Sequence, residues 1–127
     1  MAPRQVLMNH FFEQLLTFMN ELSEMYPSDP DFPLGITSVR MVKVANPSMG
    51  PTMFYDNAKA FESEILSKNE KFFLDHSFGE YGNDVDFNVL AKLKQYVSTM
   101  SSTSKENVWT YVQNLYKLSK AITVQNK

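Results

Sequence analysis

Residues 4–25 read RQVLMNHFFEQLLTFMNELSEM, and within them Leu7, Phe11, Leu15, Phe18, Leu22 and Met25 recur at steps of three or four. That period puts all six on one face of a helix, and Met8, Phe12 and Met19 broaden the face. Gln5, Glu13, Gln14, Asn20 and Glu21 fall largely on the other side. Pro27 and the run Ser28-Asp29-Pro30-Asp31 stop the pattern, because proline has no amide to donate. A helix over 4–25 is the firmest element of the chain, and the rest supplies helices around it rather than strands.

Downstream, Leu34 to Ala45 carries Ile36, Val39, Met41, Val42 and Val44. It is β-branched enough for a strand, yet the Val39/Val42 spacing and the absence of any run to pair with favour a short helix. Asn46-Pro47-Ser48-Met49-Gly50-Pro51 is a breaker in which Ser48 or Gly50 can cap and Pro51 suits a first helical turn. The next helix is predicted from Pro51 to Leu66, with Phe54, Ala58, Phe61 and Ile65 on its stripe. After the polar Ser67 to Lys71, a helical turn carries Phe72, Phe73 and Leu74, three large apolar groups that should plug the core. His76 to Asp86 reads as a surface loop, and Asp84 can cap a helix from Val85 to Met100. Thr103 and Glu106 fit a capping box that opens a last helix reaching about Val124. Its buried face is predicted as Val108, Val112, Leu115, Tyr116, Ser119 and Ile122. The expected architecture is a single all-α domain, 1–127, of about five helices.

Composition agrees. At 127 residues there is room for one core, and 43% apolar against 20% charged residues suffices to fold it. Four glycines against ten Phe and eight Met are too few for a glycine-punctuated sandwich. The absence of cysteine excludes disulfides, thiolate nucleophiles and thiolate zinc sites, and makes an intracellular setting the default expectation. No run reaches the roughly 18 apolar residues of a membrane span, and the first residues lack the pattern of a signal peptide. The net charge of −2 hides an asymmetry. Residues 1–91 hold six Lys/Arg against thirteen Asp/Glu, whereas 92–127 hold six Lys against Glu106 alone.

Chemistry-bearing patterns are weak. His10 and Glu13 lie one turn apart, too few for a metal site that needs three or four ligands. Asp75, His76, Glu80, Asp84 and Asp86 do not follow the alternation of a calcium loop. No G-x-S-x-G elbow is present, and Gly35, Gly50, Gly79 and Gly82 are too scattered to cradle a phosphate. Neither catalysis nor a cofactor is therefore inferred. Lys92, Lys94, Lys105, Lys117 and Lys120 lie among Tyr96, Trp109, Tyr111 and Tyr116, one footprint of nucleic-acid binding. Against that stand the lack of Arg in this segment and a pI of about 5.6. The lysines of the last helix can instead face the acidic first and third helices. Protein docking is the stronger expectation, because the chain carries more large apolar and methionine side chains than a small core hides. Tyr81, Trp109 and Tyr111 fall beside or off the buried stripes and are the expected partner anchors. A homodimer is one way to cover the surplus apolar face.

Glu70-Lys71-Phe72-Phe73-Leu74 and the stretch from Glu106 to Ser119, with its W-x-Y-x-Q-x-L-x-x-L-S ending, carry a resemblance. They resemble a group of small proteins encoded by nucleocytoplasmic large DNA viruses, the giant and algal viruses. The resemblance implies a small helical viral protein of the virion or the cytoplasmic factory. It brings no catalytic residue, and it marks Glu70, Phe72, Phe73, Trp109, Tyr111 and Leu115 as structural or interface positions. The function expected from sequence is non-enzymatic docking to viral or host proteins, with accessory nucleic-acid binding as the alternative.

Overall fold

A computed structural model of the protein describes residues 3–71 and 96–125. The described chain is all-α: α1 (Arg4–Met25), α2 (Asp31–Ala45), α3 (Met49–Ala58), a 3₁₀ turn (Lys59–Phe61), α4 (Glu62–Leu66) and α5 (Ser102–Gln125). The two long helices α1 and α5 pack on each other, α2 lies on α1, and α3 lies on α5. The predicted stripe of α1 is the central wall of the core except at its two ends, where Leu7 is half-buried and Met25, in the last turn, is 41% exposed. Phe11, Phe12, Leu15, Phe18, Met19 and Leu22 are all buried. So is every residue predicted for the inner face of α5: Val108, Val112, Leu115, Tyr116, Ser119 and Ile122. Ser119 stays satisfied there because its hydroxyl donates to the Tyr116 carbonyl at 2.9 Å.

Edge-on and stacked rings join the helices. Phe18 stacks on Tyr111 with centroids 4.8 Å apart, tying α1 to α5. Phe11 meets Phe54 of α3 at 5.9 Å, and Tyr55 of α3 lies 5.9 Å from Tyr116. The fully buried rings of Phe11 and Phe18 each contribute roughly 1.5–3 kcal/mol through lost water contact, and the half-buried Phe54, Tyr55 and Tyr111 contribute less.

Several boundaries differ from the sequence expectation. Helix α2 starts three residues earlier than predicted, at Asp31, whose amide donates to Asp29 Oδ1 at 2.9 Å. The Tyr96 hydroxyl donates to the other Asp29 oxygen, and the Tyr96 ring stacks on Tyr26 at 3.9 Å. Asp29 thus turns the chain into the start of α2 and ties that start to a distant part of the chain. The helix predicted over 51–66 begins at Met49 and is interrupted at 59–61 by the 3₁₀ turn. The tighter winding leaves Ala58, Phe61 and Ile65 all buried, as the stripe required. Helix α4 ends with Lys68 in the left-handed region, φ 57°, and the Asn69 amide returning to the Glu64 carbonyl at 2.9 Å. The cap of α5 also shifts. Ser101, not Thr103, accepts the Ser104 amide, at 3.1 Å, and Glu106 instead meets Lys68 at 2.8 Å. Of the helix expected over 85–100, Tyr96 and Val97 are helical, and Val97 and Met100 are buried. The rest of that span, the plug residues Phe72, Phe73 and Leu74, and the acidic loop with Tyr81 lie outside the described residues.

Gly50 holds a close approach. A Cβ there would sit 2.7 Å from Phe12 Cζ, a buried ring packed edge-on against Phe11. Gly50→Ala is therefore expected to destabilise the fold by about 1–2 kcal/mol despite the better helix propensity of alanine, measured by urea unfolding.

The acidic and basic halves meet in one network. Glu62 Oε1 accepts from the Tyr116 hydroxyl at 2.7 Å and from Lys120 Nζ at 2.8 Å. Hydrogen bonding to Lys120, then to Tyr116, holds the Glu62 carboxyl below its ordinary value. A carboxyl lowered on folding adds stability above its unfolded pKa of about 4.5 and loses it as the pH falls through the folded value. Glu62→Gln should accordingly flatten the loss of stability below about pH 4.5, read as thermal midpoint against pH.

Candidate docking surface and the cleft at Tyr111

The sequence-predicted anchors separate in the structure. Trp109 is only 5% exposed and belongs to the core, so its expected role as an exposed anchor is corrected. Its position beside the inner stripe of α5 suggested exposure. However, α5 packs against α1, α3 and α4 rather than against α1 alone, and Trp109 belongs to the buried cluster of that core. Tyr111 is half-buried. It lines a cleft of about 300 Å³ between the last turns of α1 and the first turns of α5. Phe18, Leu22 and Val108 wall this cleft, and Glu21 and Glu24 stand exposed along it. Desolvation, then the hydrogen bond to the Glu21 carboxylate, pushes the Tyr111 phenol above its ordinary value.

The lysines of the nucleic-acid alternative divide as well. Lys120 is engaged by Glu62, and Lys105 meets Glu70 at 3.1 Å. Lys117 is exposed, while Lys92 and Lys94 lie outside the described residues. The cations of α5 thus turn partly inward onto α4 and onto Glu70, the intramolecular alternative raised by the charge asymmetry. Gln113 has a related role: its side-chain amide donates to the Ile65 and Leu66 carbonyls at 3.2 and 3.1 Å, closing the end of α4.

The largest apolar exposure lies where no anchor was predicted, on α2. Phe32, Gly35 and Ile36 are buried and Val39 and Val42 pack against the core, so the opposite side of the helix faces out. Leu34, Met41 and Val44 stand there 64%, 66% and 86% exposed. At 100° per residue they share one side with the exposed Thr37, Ser38 and Ala45. Arg40 and Lys43 are the only charges between residues 32 and 55. The signal was present in the sequence: α2 is apolar around most of its circumference, which a one-sided packing helix does not need.

His10 and Glu13 are exposed on α1. Among the described residues no three acidic or histidine side chains gather closely enough to hold a metal ion. No described helix is long and apolar enough to cross a membrane. No family model, curated protein or solved structure matches the chain.

Trp109→Ala should remove a buried ring and cost about 3–5 kcal/mol of stability, seen as a lowered denaturant midpoint. An unchanged midpoint would return Trp109 to the surface.

Proposed function

We propose that this protein is a non-enzymatic docking module that binds a protein partner through the outer face of α2. The observation that carries this reading is the exposed row of Leu34, Met41 and Val44 on a helix whose other side is already packed. Apolar side chains at this exposure lose water only when a second surface covers them. Their spacing of seven and three residues is the one by which a helix presents anchors to a groove. Arg40 borders the row beside Val44 while Asp31 borders its other edge, so the row suits a partner whose apolar groove carries an acidic group on the Arg40 side. The resemblance of residues 70–74 and 106–119 to small proteins of large DNA viruses supports a setting in the virion or the cytoplasmic factory. The engagement of Lys105 and Lys120 by carboxylates weighs against nucleic acid as the main ligand.

The test is affinity capture with the full chain and with a Met41→Asp/Val44→Asp variant, with and without nuclease. Both changes lie on exposed positions, so the unfolding midpoint should stay within about 0.5 kcal/mol of the parent. The expected result is a partner that survives nuclease and whose affinity for the variant falls by at least about tenfold, roughly 1.4 kcal/mol. Partners that disappear with nuclease, or that bind the variant equally, would sink the proposal.

A further inference from the structure

The cleft at Tyr111 has a chemistry of its own. Its apolar walls are Phe18, Leu22 and Val108, and the Tyr111 ring that also lines it is stacked on Phe18 at 4.8 Å. Glu21 and Glu24 line it from the last turns of α1, and no ion pair engages either of them among the described residues. The same turns form the C-terminal end of α1, which is the negative end of the helix dipole and carries no basic residue. Two carboxylates and a negative helix end therefore accumulate beside an aromatic wall, faced by the positive end of the α5 dipole but by no basic side chain in the lining. On the opposite side, Ser104 comes from the first turn of α5, but its amide is already taken by Ser101 Oγ. That side carries no basic side chain among the residues that line the cleft; its polar groups are the neutral side chains of Ser104 and Asn107.

We infer that this cleft receives the basic side chain, arginine or lysine, of a protein partner. The alkyl stem would lie along Leu22 and Val108, and the cationic head would reach Glu21 and Glu24 beside the Tyr111 ring. Such a head gains from the carboxylates and from the aromatic face together, while its stem covers apolar surface. One Glu21 oxygen suffices for the Tyr111 hydroxyl, which leaves acceptor capacity for the guest. The inference rests on the docking reading only for the source of the side chain. The recognition itself is independent of the α2 face.

The experiment is an NMR titration of the full chain with a blocked Gly-Arg-Gly tripeptide and with the same tripeptide carrying norleucine. The arginine peptide should shift the resonances of Tyr111, Ser104 and Val108 with a saturable Kd on the order of millimolar, and norleucine should bind at least about tenfold more weakly. A Glu21→Gln/Glu24→Gln variant, altered only at exposed positions, should lose about fivefold or more in arginine affinity. Met41→Asp/Val44→Asp should leave the titration unchanged, so that failure here and failure of the α2 face are told apart. Equal binding of norleucine, undiminished binding to the double glutamine variant, or shifts confined to residues outside the cleft would each overturn the inference.

Discussion

The seam between α1 and α5 is the constraint on which the rest of the structure depends. Both helices exceed twenty residues, and each alone would leave a long apolar face in water. Laid together they bury Phe11, Phe18 and Leu22 with Val112, Leu115 and Ile122. The remaining elements then attach to one helix or the other: α2 to α1, and α3 to α5. The Phe18–Tyr111 stack lies on this seam, so the residue that lines the cleft is also one that joins the two helices. Site and scaffold are not separable at that position. The cleft lies where α1 ends at Met25, just before Pro27, beside the first turns of α5.

Charge is arranged around this seam rather than across one surface. The acidic first two-thirds and the basic last third meet where Lys120 and Tyr116 of α5 close on Glu62 of α4. Partly exposed pairs of this kind add little to stability singly, but they fix which side of α5 turns toward α4. Two features stay outside the arrangement. The outer face of α2 is an apolar row with Asp31 at one edge and Arg40 at the other, and the end of α1 carries acids and no cation. An apolar row and an acidic helix end at two separate places give the molecule two chemically different contact surfaces.

How much of this was legible depended on what each residue needed. Apolar periodicity is a property of a single segment, and so the buried stripes of α1 and α5 could be read position by position. The stripe Ala58, Phe61 and Ile65 was legible for the same reason, although Lys59-Ala60-Phe61 contains no breaker to betray the 3₁₀ turn. Trp109 and the face of α2 were misjudged for one common cause. Exposure depends on how many neighbours cover a helix, and the sequence of that helix does not count them. Trp109 is covered in the assembled core, whereas Leu34, Met41 and Val44 stand exposed.

Helix content, the positions of the long helices and the inner residues of α1 and α5 were thus determined by the sequence itself, because helical periodicity and proline breaks act over a few residues. The Asp29 turn before α2, the cap at Ser101, the inward turn of Lys105 and Lys120, the burial of Trp109 and the cleft between α1 and α5 were decided only by the tertiary structure. Each of these needs groups from different segments, or a choice among several equally suitable local partners: Tyr96 with Asp29 is 67 residues apart and Lys120 with Glu62 is 58. Such pairings follow from how helices pack, and packing angle and neighbour number are properties of the assembled core.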